Sequence, residues 1–228
     1  MAGKLIVIGT PIGNLEDLSP RARRALESVA VLACEDTRRT RTLFSALGLQ
    51  SPPRLLPYHE HNEREAAPGL AQLIEQGQEV GLVSDGGLPG ISDPGYRLLN
   101  LCRERGLPVE IVGGPNAALT ALLASGLPTS SFTFKGFPPK KPGPLKRFLD
   151  EEAASPHTLI FYDSPYHIGK LLQASMDAFG DRPAALAAEL TKKHERLYRG
   201  SLSQLALALE KDAGKGEFVL VVAGAARA

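Results

Sequence analysis

Tryptophan is absent, cysteine and methionine occur twice each, and aromatic residues make up only 6% of the 228 residues. Each scarcity excludes something. Cys34 and Cys102 stand alone, without the spacing of a zinc site, and two cysteines build no disulfide scaffold, so both are expected as reduced thiols. No apolar run is long enough for a signal or membrane segment: Lys4 to Ile8 is far too short. The expectation is therefore a cytoplasmic protein with no membrane partner. Charge of one sign is not in excess either, with 26 Lys and Arg against 25 Asp and Glu and a net charge of +1. A surface for nucleic acid would have to be local. What remains, 43% hydrophobic and 22% charged, is ordinary for a globular chain with room for one large or two small domains.

Glycine and proline are plentiful, and they sit at the ends of apolar runs. The central stretch is Val80 to Tyr96, V-G-L-V-S-D-G-G-L-P-G-I-S-D-P-G-Y. It reads as a buried strand from Val80 to Ser84 that breaks into Asp85-Gly86-Gly87 and Pro89-Gly90. Paired glycines supply positive φ and let a backbone approach a ligand with no β-carbon in the way. Ser92 is placed to cap a helix whose first turn holds Asp93 and Pro94. A strand's carboxyl end opening through a glycine loop into a helix is where open α/β sheets put ligands.

The same grammar repeats along the chain. Lys4 to Ile8 is a strand ending in Gly9-Thr10-Pro11-Ile12-Gly13-Asn14, which is neither G-x-G-x-x-G nor a P-loop. Ser19-Pro20 starts a helix through Ala30; Val31 to Cys34 is a strand ending in Glu35-Asp36-Thr37-Arg38; a helix over 39–47 is stopped by Gly48. Leu55 to His59 leads into His59-Glu60-His61-Asn62-Glu63. Two histidines at i and i+2 could ligate a metal, but no third ligand follows at a recognised spacing and no metal is expected. Asn62 with Glu65 reads as a capping box for a helix to Gln76. After the central loop and its helix, Val109 to Val112 is a strand ending in Gly113-Gly114-Pro115-Asn116-Ala117, with a helix to Ser125.

Alternation of this kind predicts a mostly parallel α/β domain over residues 1–126. Residues 127–144 change character: Phe132, Phe134 and Phe137 interleave with Lys135, Lys140 and Lys141 among five prolines. This is the predicted linker and basic loop. A second α/β domain over 145–228 follows. Its helices are Leu145 to Ala154, Ser164-Pro165 to Phe179 and Ser203 to Lys211. Its strands are Thr158 to Tyr162, Ala184 to Leu190, Glu195 to Arg199 and Phe218 to Ala223, predicting a mixed sheet.

Taken together the motifs are more specific than any one of them. They are G-T-P-I-G-N-L-E-D at Gly9–Asp17, C-E-D-T-R at Cys34–Arg38, H-E-H-N-E at His59–Glu63, the central loop, and G-G-P-N-A-A at Gly113–Ala118. Further on come K-G-F-P-P-K at Lys135–Lys140, T-L-I-F-Y-D-S-P at Thr158–Pro165, E-L-T-K at Glu189–Lys192 and K-G-E-F-V-L at Lys215–Leu220. In this order the chain resembles the tetrapyrrole methylase superfamily, and within it the cytidine 2′-O-methyltransferases of small-subunit ribosomal RNA. Two departures stand out. The central loop is usually closer to S-D-A-G-T-P, so Gly87 shifts the pattern and Leu88 replaces a hydroxyl residue. Relatives often carry a further carboxyl-terminal helical segment where this sequence ends, which would leave substrate binding to a dimer and the basic loops.

The resemblance implies two α/β domains with S-adenosyl-L-methionine (SAM) in a cleft between them, a homodimer, and 16S rRNA or the small ribosomal subunit as partner. The reaction implied is in-line transfer of methyl to a cytidine 2′-oxygen in the decoding region of 16S rRNA. The cofactor contacts it implies are Pro11, Asp85, Gly86, Gly87, Ile91, Ser92, Pro115 and Ala117, with Tyr162, Leu190, Gly216, Glu217 and Phe218 from the second domain. Candidates for taking the hydroxyl proton are Glu35, Asp36, Glu189 and Lys192, the lysine only if desolvation lowers its pKa. Arg38, Arg39, Lys140, Lys141, Lys192 and Lys193 are the expected contacts to RNA phosphates. Two other readings share the glycine loops: a tetrapyrrole C-methyltransferase, and a nucleotide-binding module without catalysis.

Overall fold

In the run Leu5–Ile8 every side chain is buried, and its neighbours alternate between two cores. Leu5 and Val7 pack on one face, while Ile6 and Ile8 pack on the other. Such a strand needs helices on both sides, which is why it is apolar throughout rather than alternating. The computed structural model describes residues 3–49, 54–210 and 216–226. The chain divides into two compact units, Met1–Asn116 and Ala117–Ala228.

The first unit is a five-stranded parallel sheet of β1 (Leu5–Ile8), β2 (Val31–Cys34), β3 (Arg54–Pro57), β4 (Val80–Val83) and β5 (Val109–Val112), in the order β3-β2-β4-β1-β5. Helices α1 (Pro20–Ser28) and α2 (Thr37–Ala46) cover one face through Ala22, Leu26 and Phe44. Helices α3 (Glu63–Glu75) and α4 (Tyr96–Glu104) cover the other through Leu70, Ile74 and Leu98. The chain leaves β1 towards β2 over the first face, and leaves β4 towards β5 over the second. Between the neighbouring strands β1 and β4 the crossovers thus diverge, and this is the switch point at which open sheets form a crevice.

The second unit is a mixed sheet of β6 (Phe132–Phe134), β7 (Thr158–Asp163), β8 (Pro183–Ala188), β9 (Arg196–Ser201) and β10 (Phe218–Val222), in the order β6-β7-β10-β8-β9. Only β6 and β7 are parallel; the other pairs are antiparallel. Helix α5 (Ala117–Ser125) packs Ala118, Ala121 and Leu122 on one face. Helices α6 (Pro142–Asp150), α7 (Ile168–Phe179) and α8 (Leu202–Glu210) pack on the other.

The α/β fold expected from the alternation is present, but several boundaries differ for identifiable reasons. The units part at Asn116, upstream of the expected linker, because the apolar side of α5 lies on the second sheet. The expected linker itself contains β6 and the first turn of α6. Ser92 does not cap a helix: it sits at φ 61°, and α4 begins only after Gly95, at φ 146°. The Asn62 side chain makes no cap bond; it accepts from the His59 N–H at 2.8 Å and donates to the Pro57 carbonyl at 3.0 Å. α7 starts at Ile168 rather than at Ser164, and β8 stops at Ala188 because Glu189 turns to φ 54°. The expected helix end at Lys211, and Lys215 of the last motif, lie outside the described residues.

Candidate functional site

The first-unit loops that follow β1, β2, β4 and β5 meet at the carboxyl edge of the sheet, around the switch point. The Gly9 N–H continues the ladder to the Val112 carbonyl at 2.9 Å. A β-carbon on Gly9 would stand 2.7 Å from the Gly114 α-carbon, so the first and last loops touch backbone to backbone. One residue on, Thr10 and Gly87 exchange two backbone hydrogen bonds of 2.9 and 3.0 Å, an antiparallel bridge beyond the ends of parallel strands. Gly87 takes φ 88° to make that turn, a conformation side chains resist. Gly86 lies outside that region; its β-carbon position is instead 3.2 Å from the Pro11 carbonyl. Pro11 is buried beneath this bridge, whereas Ile91, Ser92 and Gly113 are exposed around it.

Beside the bridge lies a charged rim. The Asp85 N–H donates to a Glu35 carboxylate oxygen at 3.4 Å, the Asp36 N–H donates to Asp85 at 3.2 Å, and Arg39 pairs with Asp85 at 3.2 Å. Burial, and then the negative charge of Asp85, push the Glu35 carboxyl above its ordinary value. Asp36 has a different task. Its carboxylate caps α2 through the Arg38 N–H at 2.8 Å and takes the Arg38 guanidinium at 2.8 and 3.2 Å. That guanidinium holds Asp36 well below the usual carboxylate range. Arg38 is thereby already paired, and Arg39 is tied to the rim.

The loop after β3 supplies residues that the sequence reading did not single out. Tyr58, fully buried, donates its hydroxyl to Glu63 at 3.4 Å and accepts from the Leu98 N–H at 3.2 Å. Burial and the nearby Glu63 charge push its phenol far above the ordinary range. Glu63 also takes Arg97 at 3.0 Å and the Gly95 N–H at 3.5 Å, fastening this loop to the start of α4. The signal was present as Glu63 in the H-E-H-N-E motif, but nothing local paired it with Arg97. His59 and His61 meet edge to face at 6.0 Å. Among the described residues no group of three His, Cys, Asp or Glu side chains could hold a metal ion, and no helix is long and apolar enough to cross a membrane.

In the second unit, strand ends again gather the named residues. Tyr162 accepts the Ala118 N–H on its hydroxyl at 3.0 Å, so it anchors the first turn of α5 that Ala117 begins. Glu189 and Glu217 are joined by backbone and side-chain bonds of 3.0 Å each, and Lys192 reaches both carboxylates at 2.8 and 3.2 Å. Gly216 lies against the Glu189 side chain, leaving no room for a β-carbon. Burial pushes Glu189 up, but the Lys192 ammonium and the Glu217 N–H outweigh it and its pKa is lowered. Burial likewise opposes charge on Lys192, yet the two glutamates prevail and its pKa is raised. The Phe218 side chain is in the core, 1% exposed, so this position offers a ligand only backbone; Leu190 is also buried. Lys140, Lys141 and Lys193 are exposed.

Comparison with known proteins agrees with this architecture. Residues 4–206 match the family of Tetrapyrrole (Corrin/Porphyrin) Methylases. A ribosomal RNA small subunit methyltransferase I of Xylella fastidiosa is 44% identical, over 98% of this chain and 82% of that protein. One of the same name from Thermotoga maritima is 38% identical over 97% and 99%. Among solved structures, a uroporphyrin-III C-methyltransferase from Thermus thermophilus superposes with a TM-score of 0.68 at 23% identity, covering 96% of this chain and 94% of that one. At that identity the likeness is one of fold.

Proposed function

The chain belongs to the tetrapyrrole (corrin/porphyrin) methylases and, within them, to the ribosomal RNA small subunit methyltransferases I, and on that premise we propose that it carries methyl from SAM to the 2′-oxygen of a cytidine in 16S rRNA. The observation that carries this reading is the match over nearly the whole chain to relatives bearing that name, together with glycine loops converging at the switch point.

The first unit fits such a cofactor. Gly113 leaves open space where a β-carbon would stand, Gly86 lets its loop approach the Pro11 carbonyl, and Ile91 offers an exposed apolar side chain. Backbone polar groups beside apolar surface suit a ligand with amide-like edges and an aliphatic arm. We assign Pro11, Asp85, Gly86, Gly87, Ile91, Ser92 and Pro115 to that contact. From the second unit, Ala117, Tyr162, Leu190 and the backbone of Gly216, Glu217 and Phe218 stay assigned to it, and titration of SAM into Tyr162→Ala tests them. When bound, SAM supplies an electrophilic methyl carbon. The chain must then hold the ribose hydroxyl in line and accept its proton.

Among the candidates for that proton, Glu35 is the group whose surroundings favour acceptance. Asp36 is committed to a helix cap and to Arg38, Glu189 to Lys192, and Lys192 is held as a cation. Lys140, Lys141 and Lys193, with Arg38 and Arg39, are assigned to RNA phosphates, and the working unit is assigned as a homodimer, which light scattering checks. The decisive experiment incubates the protein with labelled SAM and small subunits lacking the modification, then maps 2′-O-methyl groups on the rRNA. Label entering a tetrapyrrole and not RNA would overturn the reading.

A further inference from the structure

At 93% exposure, Tyr166 is the most exposed of the large hydrophobic side chains described, and nothing in the proposed cofactor or proton-accepting machinery uses it. Its presentation is fixed from below. Asp163, the last residue of β7, accepts from the His167 Nδ1–H at 2.7 Å, both side chains buried, so the pair clamps the two ends of the turn 163–167. The Ser164 N–H donates to the other Asp163 oxygen at 2.8 Å, and the His167 and Ile168 N–H groups donate to the Ser164 carbonyl at 3.1 and 3.0 Å. Tyr166 lies within this held turn, three residues past the carboxyl end of β7, with its side chain in solvent.

The neighbouring strand does the same with Phe137. β6 runs parallel to β7, and the Tyr162 N–H donates to the Gly136 carbonyl at 2.9 Å, extending the pairing past β6. Phe137, 61% exposed, follows at once and rests edge-on against the Tyr162 ring at 5.5 Å, which itself rests on Phe134 at 4.8 Å. The same loop continues into exposed Lys140 and Lys141. The carboxyl ends of two neighbouring parallel strands thus lead into two exposed aromatic rings, Phe137 and Tyr166, and the loop that carries Phe137 also carries two exposed lysines.

An apolar protein partner would be met by aromatics with an apolar border, whereas rings bordered by lysines match an unpaired polynucleotide, whose bases have π-faces and whose backbone is anionic. We propose that Tyr166 and Phe137 form a stacking platform for unpaired bases of a single-stranded RNA segment, with Lys140 and Lys141 following its phosphates. This rests on the reading of the chain as an RNA methyltransferase and adds that the substrate is engaged as an opened strand.

The test measures binding of an unstructured RNA oligonucleotide and of a matched duplex across a salt series, for wild type, Tyr166→Ala, Tyr166→Phe and Phe137→Ala, with SAM affinity and solution mass in parallel. Loss of one stacked base is expected to weaken single-strand binding roughly 5- to 150-fold. The salt slope should be unchanged, because no phosphate contact is lost. Tyr166→Phe should keep near-wild-type affinity, duplex binding should not move, and SAM affinity should not move in the Tyr166 variants; Phe137→Ala is read on RNA alone because its ring rests on Tyr162. Equal single-strand affinity in Tyr166→Ala and wild type would overturn the platform while leaving the RNA reading standing. A change confined to solution mass would assign Tyr166 to self-association instead, and one confined to SAM affinity would assign it to the cofactor; either overturns the proposal. Absence of RNA binding by wild type would overturn both.

Discussion

Thr10 and Gly87 hydrogen-bond to each other twice through their backbones, at 2.9 and 3.0 Å, although they follow strands that run parallel. The bridge welds the loop after β1 to the loop after β4 across the switch point, and Thr10 adds a hydroxyl aimed at the Ser84 carbonyl at 3.5 Å. The backbone of the central loop is thus set by its neighbour before any ligand arrives, which is the preorganisation a positioning enzyme requires.

Gly87→Ala should disturb that weld more than Gly86→Ala. A side chain at the φ of 88° is strained by about 1–2 kcal/mol, whereas Gly86 meets only the Pro11 carbonyl at 3.2 Å. Calorimetric titration with SAM and thermal unfolding should rank the two variants in that order; the reverse order would show that the bridge does not set the central loop.

Gly9→Ala should destabilise the fold as well as lower activity. Its β-carbon would stand 2.7 Å from backbone at Gly114, which cannot rotate away as a side chain could. Overpacking of this kind costs about 1–3 kcal/mol. A lowered midpoint in denaturant is the expected result, and an unchanged one would show that the two loops can part freely.

Glu35→Gln should separate stability from activity by pH. Because the folded pKa of Glu35 is raised, its contribution to stability is present below the ordinary carboxylate pKa and lost as pH rises through the folded value. Above that value the glutamine variant should unfold at a higher temperature than wild type. Its methyl-transfer rate should fall by about 10²–10⁴-fold if Glu35 takes the proton, and the wild-type rate should rise with pH through the raised pKa. A variant of full activity would pass the role to another group.

Lys192→Met should raise the pKa of Glu189, whose main charge partner it removes, and Lys192→Arg should restore it. With the ammonium held protonated by Glu189 and Glu217, no lysine limb is expected in the pH–rate profile near neutrality. Such a limb, lost in Lys192→Met, would instead make the lysine a proton acceptor.

Reversing Lys140 and Lys141 together to Glu should flatten the salt dependence of RNA binding by about 1.4–1.8 log units per log unit of salt, with SAM affinity nearly unchanged. The exposure of both side chains leaves the fold indifferent to the change. An unaltered slope would place the phosphates elsewhere.

The sites were legible in the sequence to the extent that their causes are local. Ser19 before Pro20 marked the start of α1, and its hydroxyl does accept the Ala22 N–H at 3.0 Å. Short buried runs between turn signals, four apolar residues in β1 and β2 and three with Gly81 in β4, sufficed to mark these strands. The capping box at Asn62 failed because a competing local bond, to the His59 N–H, was equally open to that side chain. Ser92 failed because Gly90 and Gly95, one on each side of it and both at positive φ, permitted a longer loop than a cap at that position requires.

By itself the sequence determined where strands end in glycine loops, and hence that ligands meet the sheet at its carboxyl edge, because alternation and turn chemistry act over a few residues. Tertiary structure alone decided which of several carboxylates is available there. Asp36 and Glu35 are chain neighbours of the same chemistry. One faces Arg38 and is held ionised, while the other is partly buried beside Asp85 and is pushed towards its protonated form. Arg38, two residues on, accounts for Asp36, but the burial that raises Glu35, and after it the charge of Asp85, are imposed by the fold, because electrostatic energy depends on distance in space rather than along the chain.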